Sequence, residues 1–196
     1  AIGVQALTHL AELVHSCHPD CLSRNPIRTY EALVRGDSDY CPFAYGYSNY
    51  ARPHYAAHQL RYGNLVTWRD GQRLRSTLGG TGLAISRHCQ HRDVAVAYAQ
   101  YVASPACQTH LYVTSGGQPG HRAAWQDAGV NQQCGNFFND TLLTLDEAYL
   151  RPRYNGYLHF QDAAGPVVHV FLRNGGDPLH TLAQINDLYR ASLAHA

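Results

Sequence analysis

Apolar residues recur at three- and four-residue spacing over much of this chain, and that period predicts helices. Between Val4 and Ser16, Leu7, Leu10, Leu13 and Val14 form a single stripe, the buried face of a surface helix. A short break follows at Cys17-His18-Pro19-Asp20-Cys21. Asn25-Pro26 then offers an N-cap with proline at the first helical position, and Gly36 stands where a C-terminal cap belongs, so a second helix is expected over 26–35. The Ala/Val/Tyr-rich stretch 93–102 has the same period, and Ser104-Pro105 repeats the cap-plus-proline signature. Leu142, Leu143, Leu145 and Tyr149 mark a helix in 140–150. Residues 157–173 read as a helix with a kink or break at Pro166, and Asp177-Pro178 caps a last one through Leu182, Ile185, Leu188 and Leu193.

Two stretches depart from the helical period. From Asp39 to Tyr55, Tyr40, Phe43, Tyr45, Tyr47, Tyr50 and Tyr55 crowd together, punctuated by Pro42, Gly46 and Pro53, which predicts a strand running into an irregular loop. After a polar, weakly periodic stretch, Leu78-Gly79-Gly80-Thr81-Gly82 reads as a turn feeding a short apolar strand, Leu83-Ala84-Ile85-Ser86. Helix with a few strands makes the expected class α/β or α+β. There is no internal repeat and no low-complexity tract.

Composition narrows the function. A chain of 196 residues is long enough for one domain with a full core, or for two small ones. With 45% hydrophobic residues and a formal charge of +1, it is neither a disordered chain nor an obvious binder of nucleic acid. No run of 18 apolar residues is present and no signal peptide opens the sequence. All 15 basic residues are arginine, and methionine is absent, which accords with a piece cut from something longer. Six cysteines are too few for a small disulfide scaffold, though an even count is compatible with an oxidising compartment.

Several clusters carry candidate chemistry. His15, Cys17, His18 and Cys21 place four borderline-soft donors in one loop, a set zinc favours; incidental side chains or a small Cys17–Cys21 disulfide are the competing reading. His88-Cys89-x-His91 is a weaker source of ligands. The hydrolase motifs Gly-x-Ser-x-Gly and His-Glu-x-x-His are absent, as is the phosphate-binding Gly-x-x-x-x-Gly-Lys-Ser/Thr, and only three glutamates occur, so an enzyme is not expected. A hydrolase using Cys41 or Cys89 is the third and weakest option. Phe43-Ala-Tyr-Gly-Tyr-Ser-Asn-Tyr50 alternates rings with small residues. Tyrosine faces for stacking, with hydroxyl and amide groups beside them, suit a neutral polyhydroxylated ligand such as a sugar; tyrosines buried for bulk are the alternative. Gly79, Gly80 and Thr81 let a backbone approach a ligand closely. Arg151 and Arg153, fixed around Pro152 and next to Tyr154, are suited to forked hydrogen bonds, or else are solvated arginines in a turn.

The order of these segments resembles the C-terminal half of extracellular solute-binding proteins of ABC importers, in the carbohydrate-binding branch. Gly36-Asp37, Cys41 to Tyr50, Gly79 to Ser86, Tyr101-Val-Ala-Ser-Pro-Ala-Cys-Gln108, Gly117-Gln118-Pro119 with Arg122 to Trp125, and Arg151 to Tyr154 carry the resemblance. Ala106 and Cys107 stand where that family often has glutamate and an aliphatic residue. The resemblance implies an α/β architecture, the helix-rich part of a type II periplasmic-binding-protein-like fold, truncated relative to the two-lobed receptor. It implies that 1–78 and about 131–196 form mainly the C-terminal lobe, with about 79–130 as a crossover segment. It further implies capture of a sugar-like solute in the periplasm or outside the cell, delivery to membrane permease subunits, and no cofactor. Ligand contacts would come from Tyr45, Tyr47, Asn49, Tyr50, Gly79, Gly80, Thr81, Arg151, Arg153 and Tyr154. A homodimer through surface left exposed by the truncation is also expected. The alternative is a metal-binding or metal-stabilised interaction module built on His15, Cys17, His18 and Cys21.

Overall fold

The structure, a computed structural model, describes residues 2–68 and 71–194. Ten α-helices and two 3-10 turns are present among the described residues, and no strand or sheet is. The α/β expectation is therefore corrected: the chain is helical with long irregular connections, not a type II periplasmic-binding-protein-like fold. Leu83-Ala84-Ile85-Ser86 is the clearest case. A strand exists only where a ladder partner satisfies its backbone, and this exposed segment lies in no bridge. The pairings that occur are isolated bridges, Thr67 with Arg73 and Thr77 with Tyr149.

The chain divides into two compact units, Ala1–Thr29 with Arg151–Ala196, and Tyr30–Leu150. In the first, α1 (Ile2–His15), α9 (Tyr157–Asn174) and α10 (Pro178–Leu193) pack together. The stripe that predicted α1 faces inward through Leu7, and Gly3 lies against Leu182. The α10 cap is built as expected, with Asp177 accepting from the Leu179 N–H. Pro166 lies inside α9 without ending it. An aromatic cluster of Tyr154, Tyr157, Phe160 and Tyr189 completes this unit.

Helix α2 (Pro26–Arg35) carries the division between the units. Its ends follow the sequence signals: Asn25 Oδ1 accepts from the Arg28 N–H. At the other end the Gly36 and Asp37 N–H groups return to the Leu33 and Ala32 carbonyls, the paired closure that a left-handed glycine allows, here at φ 84°. The second unit continues through α3 (Arg92–Ala103), α4 (Pro105–Thr109), α5 (Leu111–Thr114), α6 (Arg122–Gln126), α7 (Ala128–Gln133) and α8 (Phe137–Asp146). Its main core joins Ala51, Val113, Trp125, Val130, Cys134, Phe137 and Phe138; a second cluster joins Tyr30, Val34 and Tyr50. Half-buried Tyr62 packs against both, its ring 4.7 Å from Phe137 and 5.7 Å from Tyr30.

Phe138 has no exposed surface and meets Trp125 and Phe137 edge-on. Phe138→Ala is expected to destabilise the Tyr30–Leu150 unit by about 3–5 kcal/mol, the usual loss for an aromatic ring removed from a packed core; urea denaturation followed by tryptophan fluorescence measures it.

Candidate functional site

The tyrosine loop is where the structure gathers the most of the expected site residues. Expected partly as a strand, residues 45–47 run irregularly into the 3-10 turn Ser48–Ala51. What a ladder would have supplied comes from side chains. The Tyr30 hydroxyl donates to the Tyr45 carbonyl at 2.7 Å. Gln118 Nε2 donates to the Gly46 carbonyl at 3.2 Å, and the Tyr62 hydroxyl to the Tyr47 carbonyl at 3.2 Å. Gln118 Oε1 then accepts from the Ser48 N–H at 2.8 Å. Four successive residues are thus fixed by three side chains remote in sequence.

Glycines let this loop lie close to its supports. A Cβ at Gly46 would stand 2.7 Å from the Phe137 ring, so only glycine lets the backbone rest there. A Cβ at Gly79 would stand 2.9 Å from two atoms of the Tyr45 ring. The Tyr45 ring therefore lies on the Gly79 backbone, which brings two of the expected sequence clusters together. Tyr45 and Tyr47 remain 46% and 41% exposed, so each pinned residue still presents its ring to solvent. Tyr47 meets Tyr30 edge-on at 5.9 Å. Gly80 and Thr81 continue from Gly79 as exposed chain.

Other expected residues lie elsewhere. Tyr50 is 8% exposed and packs on Tyr30 and Tyr55 as core, the bulk-filling role. Asn49 has its Oδ1 buried. Arg151, Arg153 and Tyr154 belong to the other unit. There Arg151 donates to Gln161 Oε1 at 2.7 Å, the Tyr154 hydroxyl pairs with Ser192 Oγ at 2.8 Å, and Arg153 is exposed. Tyr154 also borders an open groove with Asn155, Gly156, Leu158 and His159.

The alternative metal loop is held by ordinary local bonds. His15 Nδ1 donates to the Ala11 carbonyl, and His18 Nδ1 accepts from the Asp20 N–H. No group of three histidine, cysteine, aspartate or glutamate side chains is placed to hold a metal ion among the described residues. All six cysteines, Cys17 and Cys21 included, are thiols without a disulfide. Burial pushes the Cys41 thiol above its ordinary range, which disfavours the thiolate that a hydrolase needs.

Sequence reasoning missed Tyr30, Tyr62 and Gln118, the three residues that build the loop. Tyr30 sits on the inward side of α2 and reads as core; nothing in the pattern around Tyr62 or Gln118 sets them apart. Burial raises the Tyr30 and Tyr62 phenols well above the tyrosine range. No family description, curated protein or solved structure matches the chain.

Because their folded pKa values lie above the unfolded value of about 10, Tyr30 and Tyr62 stabilise the fold fully below that pH. That contribution is lost as pH rises past it. The melting temperature is expected to fall from about pH 10 upward, less steeply in Tyr30→Phe/Tyr62→Phe than in wild type. Equal slopes in thermal melts monitored by circular dichroism would show that these phenols are not the groups opposing alkali. Gly79→Ala, in turn, should displace the Tyr45 ring with little loss of stability, visible as a change in near-ultraviolet circular dichroism.

Proposed function

We propose that this chain is a non-catalytic recognition module for a neutral polyhydroxylated ligand, a sugar or sugar-like solute, with Tyr45 and Tyr47 as its contact residues. One observation carries the reading: two exposed tyrosine rings project from backbone fixed by Tyr30, Gln118 and Tyr62. Exposed aromatic rings leave apolar surface in water unless something covers them. A fixed backbone lowers the ordering cost of covering them with ligand. The Tyr45 ring, backed by Gly79, offers a face on which the C–H side of a sugar ring can stack, and the tyrosine hydroxyls offer donors and acceptors.

Capture of such a solute for membrane permease subunits, outside the cytoplasm, is the form of this proposal that the resemblance to solute-binding proteins implies. It rests on the tyrosine platform and no longer on the two-lobed α/β fold.

A thermal-shift screen of neutral sugars and polyols tests the proposal, with calorimetry on any hit. Binding is expected to stabilise the protein. Tyr45→Ala/Tyr47→Ala should abolish the shift while the ligand-free melting temperature changes little, because both rings are half exposed. Zinc and EDTA should leave the melting temperature unchanged. Stabilisation by zinc alone, or sugar binding untouched by the double variant, overturns the assignment.

A further inference from the structure

We infer that the unit Ala1–Thr29 with Arg151–Ala196 carries a binding site of its own, a groove beside α1 that takes a small organic ammonium ion with an apolar body. The inference does not rest on the sugar-binding reading, whose tyrosine loop belongs to the other unit.

The groove has a volume of about 510 Å³, inside the range of roughly 300–1,000 Å³ that small-molecule sites occupy. Helix α1 lines it with Thr8, Ala11, Glu12 and His15. Positions spaced by threes and fours share one helix face, so these four form a single stripe. Phe171, from the last turn of α9, and Pro178, the first residue of α10, line it as well. Ala11, Phe171 and Pro178 supply apolar surface. Thr8, Glu12 and His15 supply polar groups beside it.

Charge selects the ligand. The Glu12 carboxylate is exposed and makes no ion pair among the described residues. No arginine lines the groove; Arg173, in the last turn of α9, is exposed and lies outside the lining. Two helices end at the groove, since Glu12 and His15 are in the last turn of α1 and Phe171 is in the last turn of α9. Each such end carries roughly half a negative charge, which favours a cation. The N-terminus of α10 is a positive end, and the Asp177 carboxylate caps it by accepting from the Leu179 N–H at 2.9 Å. His15 adds an acceptor: its Nδ1–H goes to the Ala11 carbonyl at 2.7 Å, so the neutral ring keeps Nε2 as a lone pair. An ammonium group brings three N–H donors and a positive charge to these acceptors, while its apolar body covers the Ala11, Phe171 and Pro178 surface. A carboxylate or phosphate would meet repulsion from Glu12 instead.

The test is an amide NMR titration of the whole chain with phenethylamine and hexylamine, set against phenethyl alcohol, hexanol and phenylpropionate. Both amines are expected to shift amides in residues 8–15 and around Gly176, with about tenfold higher affinity than the matching alcohols, the scale of one hydrogen bond to a charged group. Phenylpropionate is expected to produce no shift. Glu12→Gln should lower amine affinity about tenfold, to the level of the alcohols, and Glu12→Arg should abolish it. Neither should move the melting temperature, because the side chain is exposed; if Glu12→Arg does not fold, the Glu12→Gln comparison decides. Amine affinity that Glu12→Gln leaves unchanged, alcohols binding as tightly as amines, shifts confined to other parts of the chain, or no shift with either amine overturns the inference. Each of those results leaves the sugar-binding reading standing, since its variants lie in the other unit.

Discussion

The irregular loop at 45–47 exists because side chains supply the hydrogen bonds that secondary structure supplies elsewhere in the molecule. Buried backbone polar groups must find partners, and a loop with neither helical turns nor a neighbouring strand has few within reach. Tyr30 from α2, Tyr62 from a long connection and Gln118 from the irregular stretch before α6 supply them. The same tyrosines pack the core: Tyr30 belongs to one hydrophobic cluster, and Tyr62 touches both. Loop geometry and core packing are thus set by the same rings. Each hydroxyl contributes about 1 kcal/mol as a hydrogen bond.

This dependence explains what the sequence could and could not reveal. Helix ends were legible because capping is local. Asn25, Gly36, Ser104 and Asp177 lie within a few residues of the groups they satisfy, and each does so. The strands expected at Asp39–Tyr55 and Leu83–Ser86 failed because strand pairing is not local. Aromatic and β-branched content shows that a segment can join a sheet, not that a partner is present. Of the site, Tyr45, Tyr47 and Gly79 were legible as rings and a permissive glycine. The bonds from Tyr30, Tyr62 and Gln118 span 15 residues, 15 residues and 70 or more, with no periodic signature to announce them. Tyr50 went the other way: it stands in the same alternating run but turns into the core.

Loss of the α/β architecture changes what kind of recognition is physically reasonable. A two-lobed receptor encloses a small solute by closing a cleft, and closure supplies most of the contact. Tyr45 and Tyr47 stand instead on an open surface, about half exposed on a fixed backbone, and an open surface gathers its affinity along a ligand rather than around it.

Magnitudes decide how far one ring can go. An aromatic contact is worth about 0.5–1.5 kcal/mol beyond the area it buries, whereas even a millimolar complex needs about 4 kcal/mol at the standard state. Area burial on one half-exposed ring narrows that gap without closing it, since association also consumes translational and rotational freedom. A rigid loop lowers the ordering cost for the protein side only. The remaining shortfall has to come from further contacts, and Tyr47, 41% exposed two residues from Tyr45, is the second ring on the same fixed backbone.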